Sequence, residues 1–373
     1  MQYAELSQIK HRVQLGAPLP FNVRSADHTL LLARGQQVDS REQLAHLLER
    51  GALVDLAELQ SAREEIRKAP RDALPGLWSR SLNQVSQALL SPQAETFGAA
   101  LEDAAAPVQA LVERDPDLAI FQVLRQGRNE DVAYGVQRSM QTAITAFLVA
   151  QRLGWEAAAC ERLFKVALTM NVSMLELQGR LARQGTPLTA EQRGELRTHP
   201  MRSVRILELA GVADADWLRA VLEHHEQEDG GGYPSGCSTV GDLASLARRA
   251  DVYTSKLSAR NTRDALAADV AGRQMFMQDP GHPMTAALVK EFGIYPPGSY
   301  VRLASGALAI VVQRGATITA PVVICLTDDH GRTLAEPERR GTADKAHAVV
   351  AVVGEREVAQ PLPLDRLAAL ITA

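Results

Sequence analysis

The stretch His224-His225-Glu226-Gln227-Glu228-Asp229-Gly230-Gly231-Gly232-Tyr233-Pro234 constrains this chain more tightly than any other. Ahead of it, Trp217, Leu218, Val221 and Leu222 recur at helical spacing, so the two imidazoles fall on or beside a buried face at a helix end. Titratable groups are costly there without partners. Three consecutive glycines then open backbone angles that other residues resist, and the free N–H groups of such a turn can face an anion. The pattern points to metal and phosphate chemistry. The plain alternative is a histidine pair at the surface or hydrogen-bonded in the core.

At 373 residues the chain is long enough for about two or three domains and a sizeable core. Lys plus Arg number 40 against 44 Asp plus Glu, a net charge of −4, so no basic excess argues for a nucleic-acid partner. Cys160, Cys237 and Cys325 are scattered, odd in number and lack CxxC spacing, so neither a disulfide framework nor a thiolate zinc site is indicated, which fits a reducing compartment. The first residues carry charges throughout and no continuous apolar core, and no run of about eighteen apolar residues occurs elsewhere. The expectation is a cytoplasmic protein, neither secreted nor membrane-spanning.

The periodicities predict a mainly α chain: a central helical bundle between a small N-terminal α+β module and a small β-rich C-terminal tail. Residues 1–70 read as the α+β module, with strands over 19–23 and 29–32 and a helix capped by Ser40. Residues 71–130 read as a helical connector broken by prolines, Pro107 among them, with one helix over 95–113. Residues 131–290 read as the bundle. Met140, Ile144, Phe147 and Leu148 trace a helix stopped at Gly154, and Phe164, Leu168, Asn171 and Leu175 trace another. A short polar helix over 189–197 follows, and His199-Pro200 opens the next, since proline suits a first helical turn. Residues 291–373 read as the β-rich tail, with segments over 300–303, 307–312 and 321–326, a hairpin turn at Asp328-Asp329-His330-Gly331 and a closing helix over 361–371.

The string HHExxDGxGYP resembles the signature of the HD-GYP family, metal-dependent phosphodiesterases that hydrolyse cyclic di-GMP, and it matches at every fixed position. The resemblance implies an HD-type helical bundle. It also implies a centre of two or three metals built from histidines and carboxylates on several helices. His199 matches the histidine of an HP pair, His224 and His225 the signature pair, and Asp251 a late aspartate in an AD pair. Asp251 has a second reading as a buried salt bridge to an arginine, being in phase with Leu243, Ala247 and Thr254. Gly230, Gly232, Tyr233 and Pro234 form the binding loop. Arg260 and Arg263 match an S-x-R-x-x-R element that can grip phosphate, or they are a solvated helix end.

Three expected ligands are missing. Arg138 stands at the first histidine. In the segment matching LLHDxGK, Met170 replaces the histidine, Asn171 the bridging aspartate and Met174 the lysine. A neutral amide offers a carbonyl oxygen but not the negative charge that holds two cations together. A guanidinium in a ligand position repels a cation and pairs with Asp251 or a phosphate. No intact catalytic set is expected, and the cofactor is one divalent ion (zinc, iron or manganese) or none. The leading reading is a catalytically degenerate HD-GYP protein in cyclic di-GMP signalling, binding the nucleotide or a GGDEF-type cyclase. The alternatives are an active phosphodiesterase with a rebuilt one-metal site, and a scaffold that binds neither.

Overall fold

The computed structural model describes residues 3–372 apart from 14, 17, 56–60, 93–96, 126–130, 262, 355–356 and 359–362. Helices dominate it, with a small antiparallel sheet towards each end.

In the N-terminal part the Ser40 hydroxyl accepts from Gln43 N at 3.1 Å and opens the helix Arg41–Glu49. The strand expectation there is corrected. Only Val23 of the run 19–23 enters a strand, while Leu19 and Phe21 are buried outside the sheet. Four very short strands, β1 (Tyr3–Glu5), β2 (Val23–Arg24), β3 (Leu30–Leu32) and β4 (Leu53–Asp55), form a sheet of order β1-β4-β2-β3. Two or three residues are too few to show an alternating pattern, which is why β1 and β4 escaped the reading. His11 Nε2 lies 2.5 Å from Asp103, and Arg12 joins the same carboxylate, tying this unit to the helix Phe97–Arg114.

That helix corrects a second expectation, since Pro107 lies inside it without ending it. Phe97, Leu101, Val108 and Leu111 are all buried in the main core, and their packing outweighs the one helical N–H that proline removes. Residues 95 and 96 of the expected helix lie outside the described residues. Pro116 instead starts a helix, Pro116–Leu124, with Asp115 as its cap.

The bundle begins with the helix Asp131–Arg152, which stops before Gly154 as expected. Gly135 lies where this helix crosses Leu175–Arg183. A Cβ there would sit 2.3 Å from the Leu175 carbonyl oxygen, so only glycine allows the approach.

The stripe through Phe164 to Leu175 is not one helix. It runs as Ala157–Thr169, a 3-10 turn at Val172–Met174 and then Leu175–Arg183. Asn171 leaves helical geometry at φ −106°, ψ 10°, and the step buries Met170 and Asn171. The two segments expected around residues 189–200 are in turn one continuous helix, Ala190–Leu209, with a full capping box at Thr189 and Pro200 inside it. The helices Ala215–Glu223, Asp242–Leu257, Ala268–Gln278 and Pro283–Phe292 complete the bundle.

The C-terminal sheet has β5 (Tyr300–Leu303), β6 (Leu308–Gln313), β7 (Val322–Thr327), β8 (Thr333–Gly341) and β9 (Val349–Val353), in order β8-β7-β6-β5-β9 and antiparallel throughout. Asp328 to Gly331 makes the β7–β8 turn, where Asp328 N donates to Arg332 O at 2.9 Å. β8 was missed because it is an exposed, charged edge carrying Glu336, Glu338, Arg339 and Arg340. A closing helix, Leu364–Thr372, follows; residues 361 and 362 of its expected start lie outside the described residues. Arg314 fixes the sheet to the bundle, donating to Asp117 at 2.5 Å and to Glu291 at 2.6 Å.

Candidate metal centre

Three histidines converge under the glycine loop, His199 from the helix Ala190–Leu209 and His224 and His225 from the turn that ends the helix Ala215–Glu223. His199 and His224 are buried and His225 is partly so, and one ring nitrogen from each lies within 4.8 Å of the others. His199 Nδ1 is 2.6 Å from Leu196 O, and His224 Nδ1 is 2.6 Å from Val221 O. A carbonyl only accepts, so each Nδ1 carries the proton and each Nε2 presents a lone pair. Those two Nε2 atoms face one another at 3.0 Å. Two lone pairs so close repel unless a cation lies against both, and ligand nitrogens on a tetrahedral zinc ion stand roughly 3.3 Å apart. Burial first, and then neighbouring charge, holds all three imidazoles far below the usual histidine range, at about 3. They are neutral at pH 7, which is the form that binds metal.

These residues fit one divalent ion. A set of neutral nitrogens suits zinc or iron better than magnesium or calcium. Asn171, buried at 2% exposure, has an Oδ1 with no hydrogen-bond partner among the described residues. It is an acceptor without a donor, and it brings no charge.

The remaining positions do not fit a second ion. Arg138 Nη2 is 2.7 Å from Asp251 Oδ1 and 3.1 Å from Asp251 O, and Arg138 itself is only 4% exposed. Thr142 adds a hydroxyl 3.3 Å from Asp251 Oδ1 and 3.1 Å from the Thr254 hydroxyl. Asp251 is therefore spent on a guanidinium and a hydroxyl belt, and it stands outside the histidine cluster. Its side chain is 21% exposed, so it borders a cleft and is not in the dry core that its helical phase suggested. Met170 is fully buried with the main core.

The glycine loop is not the open anion cradle its composition suggested. Gly230 N donates to Gln227 O at 2.8 Å, Gly231 N to Asp229 Oδ1 at 2.8 Å, and Tyr233 N to His225 O at 3.3 Å. The loop folds onto the histidines instead. A Cβ on Gly232 would meet Glu226 Cα at 2.4 Å and His225 O at 2.5 Å, so the backbones touch. Tyr233 stacks on His225 with centroids 4.5 Å apart and a 16° angle between planes, and a cis bond joins it to Pro234. Burial pushes the Tyr233 phenol up, so it stays protonated.

A cleft of about 520 Å³ opens beside this centre, with Tyr134, Arg138, His225, Tyr233, Asp251 and Arg260 on its walls. Arg260 is exposed and donates to the Ser255 hydroxyl at 2.9 Å. Arg263 is directed differently, with its Nη2 2.5 Å from Ser255 O, and it does not line the cleft. Met174 does line it.

The sequence reading missed Thr142, one helical turn after Arg138, and Glu226. Glu226 is 1% exposed, and its Oε1 accepts from Ser235 N at 2.6 Å and Gly236 N at 3.2 Å, closing the loop. The i, i+4 spacing was the available signal for Thr142. The signal for Glu226 was its place as a fixed position of HHExxDGxGYP, where Glu228 falls at a variable one.

Residues 125–248 match the HD domain family. Over 222 residues the chain is 28% identical to a cyclic di-GMP phosphodiesterase of Pseudomonas aeruginosa, covering 58% of this chain and 53% of that protein. It thus spans about half the length of that curated relative. A solved HDG"Y"P protein from Bdellovibrio bacteriovorus aligns with 78% of this chain and 98% of its own, at a TM-score of 0.49 and 16% identity. The matched stretch, residues 125–248, contains all three converging histidines and is similar to an HD domain. Within the matched residues, Met170-Asn171 stand where the resemblance places a His-Asp pair. No helix among the described residues is long and apolar enough to cross a membrane.

Proposed function

We propose that this protein is a catalytically degenerate HD-GYP protein that serves cyclic di-GMP signalling by binding. The observation that carries the reading is the Arg138–Asp251 ion pair at 2.7 Å, set where the resemblance calls for metal ligands. Hydrolysis in a two-metal centre needs a carboxylate bridge and a second cation to stabilise the attacking and leaving oxygens. Asn171 carries no charge to bridge with, and Asp251 is already neutralised. His199, His224 and His225 would hold one ion, which supplies a single Lewis-acidic charge to a phosphate oxygen.

What the chain keeps is recognition. Arg260 gives the cleft an exposed positive charge that suits phosphate, and Tyr233 over His225 offers a flat apolar wall. The covered histidines and the intact GYP loop leave a surface on which a GGDEF-type cyclase would dock. The test is calorimetric titration of the full chain with cyclic di-GMP, paired with a cleavage assay in Mn²⁺, Fe²⁺ or Zn²⁺. Binding without cleavage is expected. Turnover on the order of 1 s⁻¹ would replace this reading with an active one-metal phosphodiesterase, which the converging histidines favour. Neither heat nor cleavage would leave a scaffold.

A further inference from the structure

Pro200 sits in the middle of the helix Ala190–Leu209, a position that helices avoid, one residue after His199. A residue at 200 would ordinarily donate its N–H to the carbonyl of Leu196, four residues back. Proline has no N–H, so that carbonyl is released from the ladder. It is the atom that His199 Nδ1 meets at 2.6 Å.

His224 uses the same arrangement by another route. Val221 is among the last four residues of the helix Ala215–Glu223, whose carbonyls have no partner within the helix, and its carbonyl meets His224 Nδ1 at 2.6 Å. In both cases the acceptor lies three residues before the histidine and is a carbonyl withdrawn from helical bonding. Both rings are thereby locked with the proton on Nδ1 and their Nε2 lone pairs 3.0 Å apart.

We propose that Pro200 is a positioning residue for the metal centre: by freeing the Leu196 carbonyl it selects the His199 tautomer and ring orientation that turn Nε2 toward His224 and His225. This rests on the reading of the three histidines as ligands. A proline that was merely tolerated would leave the tautomer unchanged when replaced, whereas a positioning proline would not. Outer groups that orient a ligating histidine change metal affinity about ten- to a hundredfold when lost.

The test compares Pro200→Ala with the native full chain, and Pro200→Ser serves as a second variant that also restores the N–H. In zinc-free protein labelled with ¹⁵N-histidine, long-range ¹⁵N–¹H spectra report the His199 tautomer. The native chain is expected to show the Nδ1–H form and the variants a mixture, with Zn²⁺ affinity against a chromophoric chelator falling about ten- to a hundredfold. Pro200→Ala is also expected to raise the melting midpoint, since alanine favours the helix. An unchanged His199 tautomer in both variants overturns the proposal, whatever happens to affinity. If the native chain takes up no Zn²⁺, the metal reading fails by itself, and the tautomer comparison still decides the role of Pro200.

Discussion

Arg138 and Asp251, 113 residues apart in the chain, meet at 2.7 Å between the helices Asp131–Arg152 and Asp242–Leu257, with side-chain exposures of 4% and 21%. Removing one partner of such a pair strands the other, while removing both does not. Arg138→Met is therefore expected to cost about 2–3 kcal/mol, less than a fully buried pair because water reaches Asp251. Arg138→Met with Asp251→Leu should recover more than half of that loss. Urea denaturation of the three proteins measures it, and additive losses in the double variant would contradict the pairing.

The same pair bears on metal content. The native chain should take up one equivalent of Zn²⁺ per chain, and His224→Ala should abolish it. Introducing the ligands that the resemblance implies, as Arg138→His, Met170→His and Asn171→Asp together, would free Asp251 and supply a charged bridge. That triple variant should bind two equivalents by elemental analysis after gel filtration. A stoichiometry that stays at one would show that more than these three side chains separates this centre from a two-metal one.

Gly232 is fixed by contact with the His225–Gln227 backbone, which a Cβ would approach within 2.4–2.6 Å. Gly232→Ala should lift the loop from the histidines and cost about 1–3 kcal/mol, the usual range for overpacking. Gly194, inside a helix with nothing within 4 Å of a Cβ, is the control. Gly194→Ala should stabilise by about 0.5–1 kcal/mol. Melting midpoints that move in the same direction for both would refute the contact argument.

Glu228 gives the loop its acid sensitivity. Burial would raise its carboxyl, but the Ser245 hydroxyl at 2.7 Å, its own backbone and Arg249 at 2.9 Å outweigh that and hold it at about 2 against an ordinary 4.5. The unfolded chain therefore binds this proton more readily. The stabilisation is complete above 4.5 and is lost as pH falls toward about 2. With 44% of the side chain exposed, it amounts to under about 1 kcal/mol. Glu228→Gln should be less stable than the native chain near pH 7 and equal to it near pH 2. An equal gap at both pH values would rule this linkage out.

Arg260 lies exposed at the cleft, and among the described residues its bonds are local, to Ser255 and across to Arg263. Arg260→Glu should leave the melting midpoint within a degree or so while weakening cyclic di-GMP binding at least about tenfold, or roughly 1.4 kcal/mol. Calorimetry gives the affinity and circular dichroism the midpoint. Undiminished binding would move the phosphate site away from this arginine.

Much of the architecture was legible in the residues because it is encoded locally. Helical spacing marks the bundle, Ser40 and Gly154 mark helix ends, and Met170-Asn171 show on sight that no carboxylate stands where the resemblance places one. The failures share one cause. Pro107 read as a break and Pro200 as a helix start because proline's preference is local, yet both lie inside helices whose packing overrules it. The glycine loop read as an anion cradle because glycine permits one, but its own carboxylate and carbonyls already accept most of its N–H groups.

The order of residues by itself determined which chemistry could be absent: no arrangement of an amide, a thioether and a guanidinium supplies the negative charge that two adjacent cations require. Only the tertiary structure decided what stands in its place. Whether Arg138 reaches Asp251, and whether the His199 and His224 lone pairs converge, depends on how helices far apart in the chain pack. That is set by core contacts summed over the whole bundle, and no short window of sequence contains it.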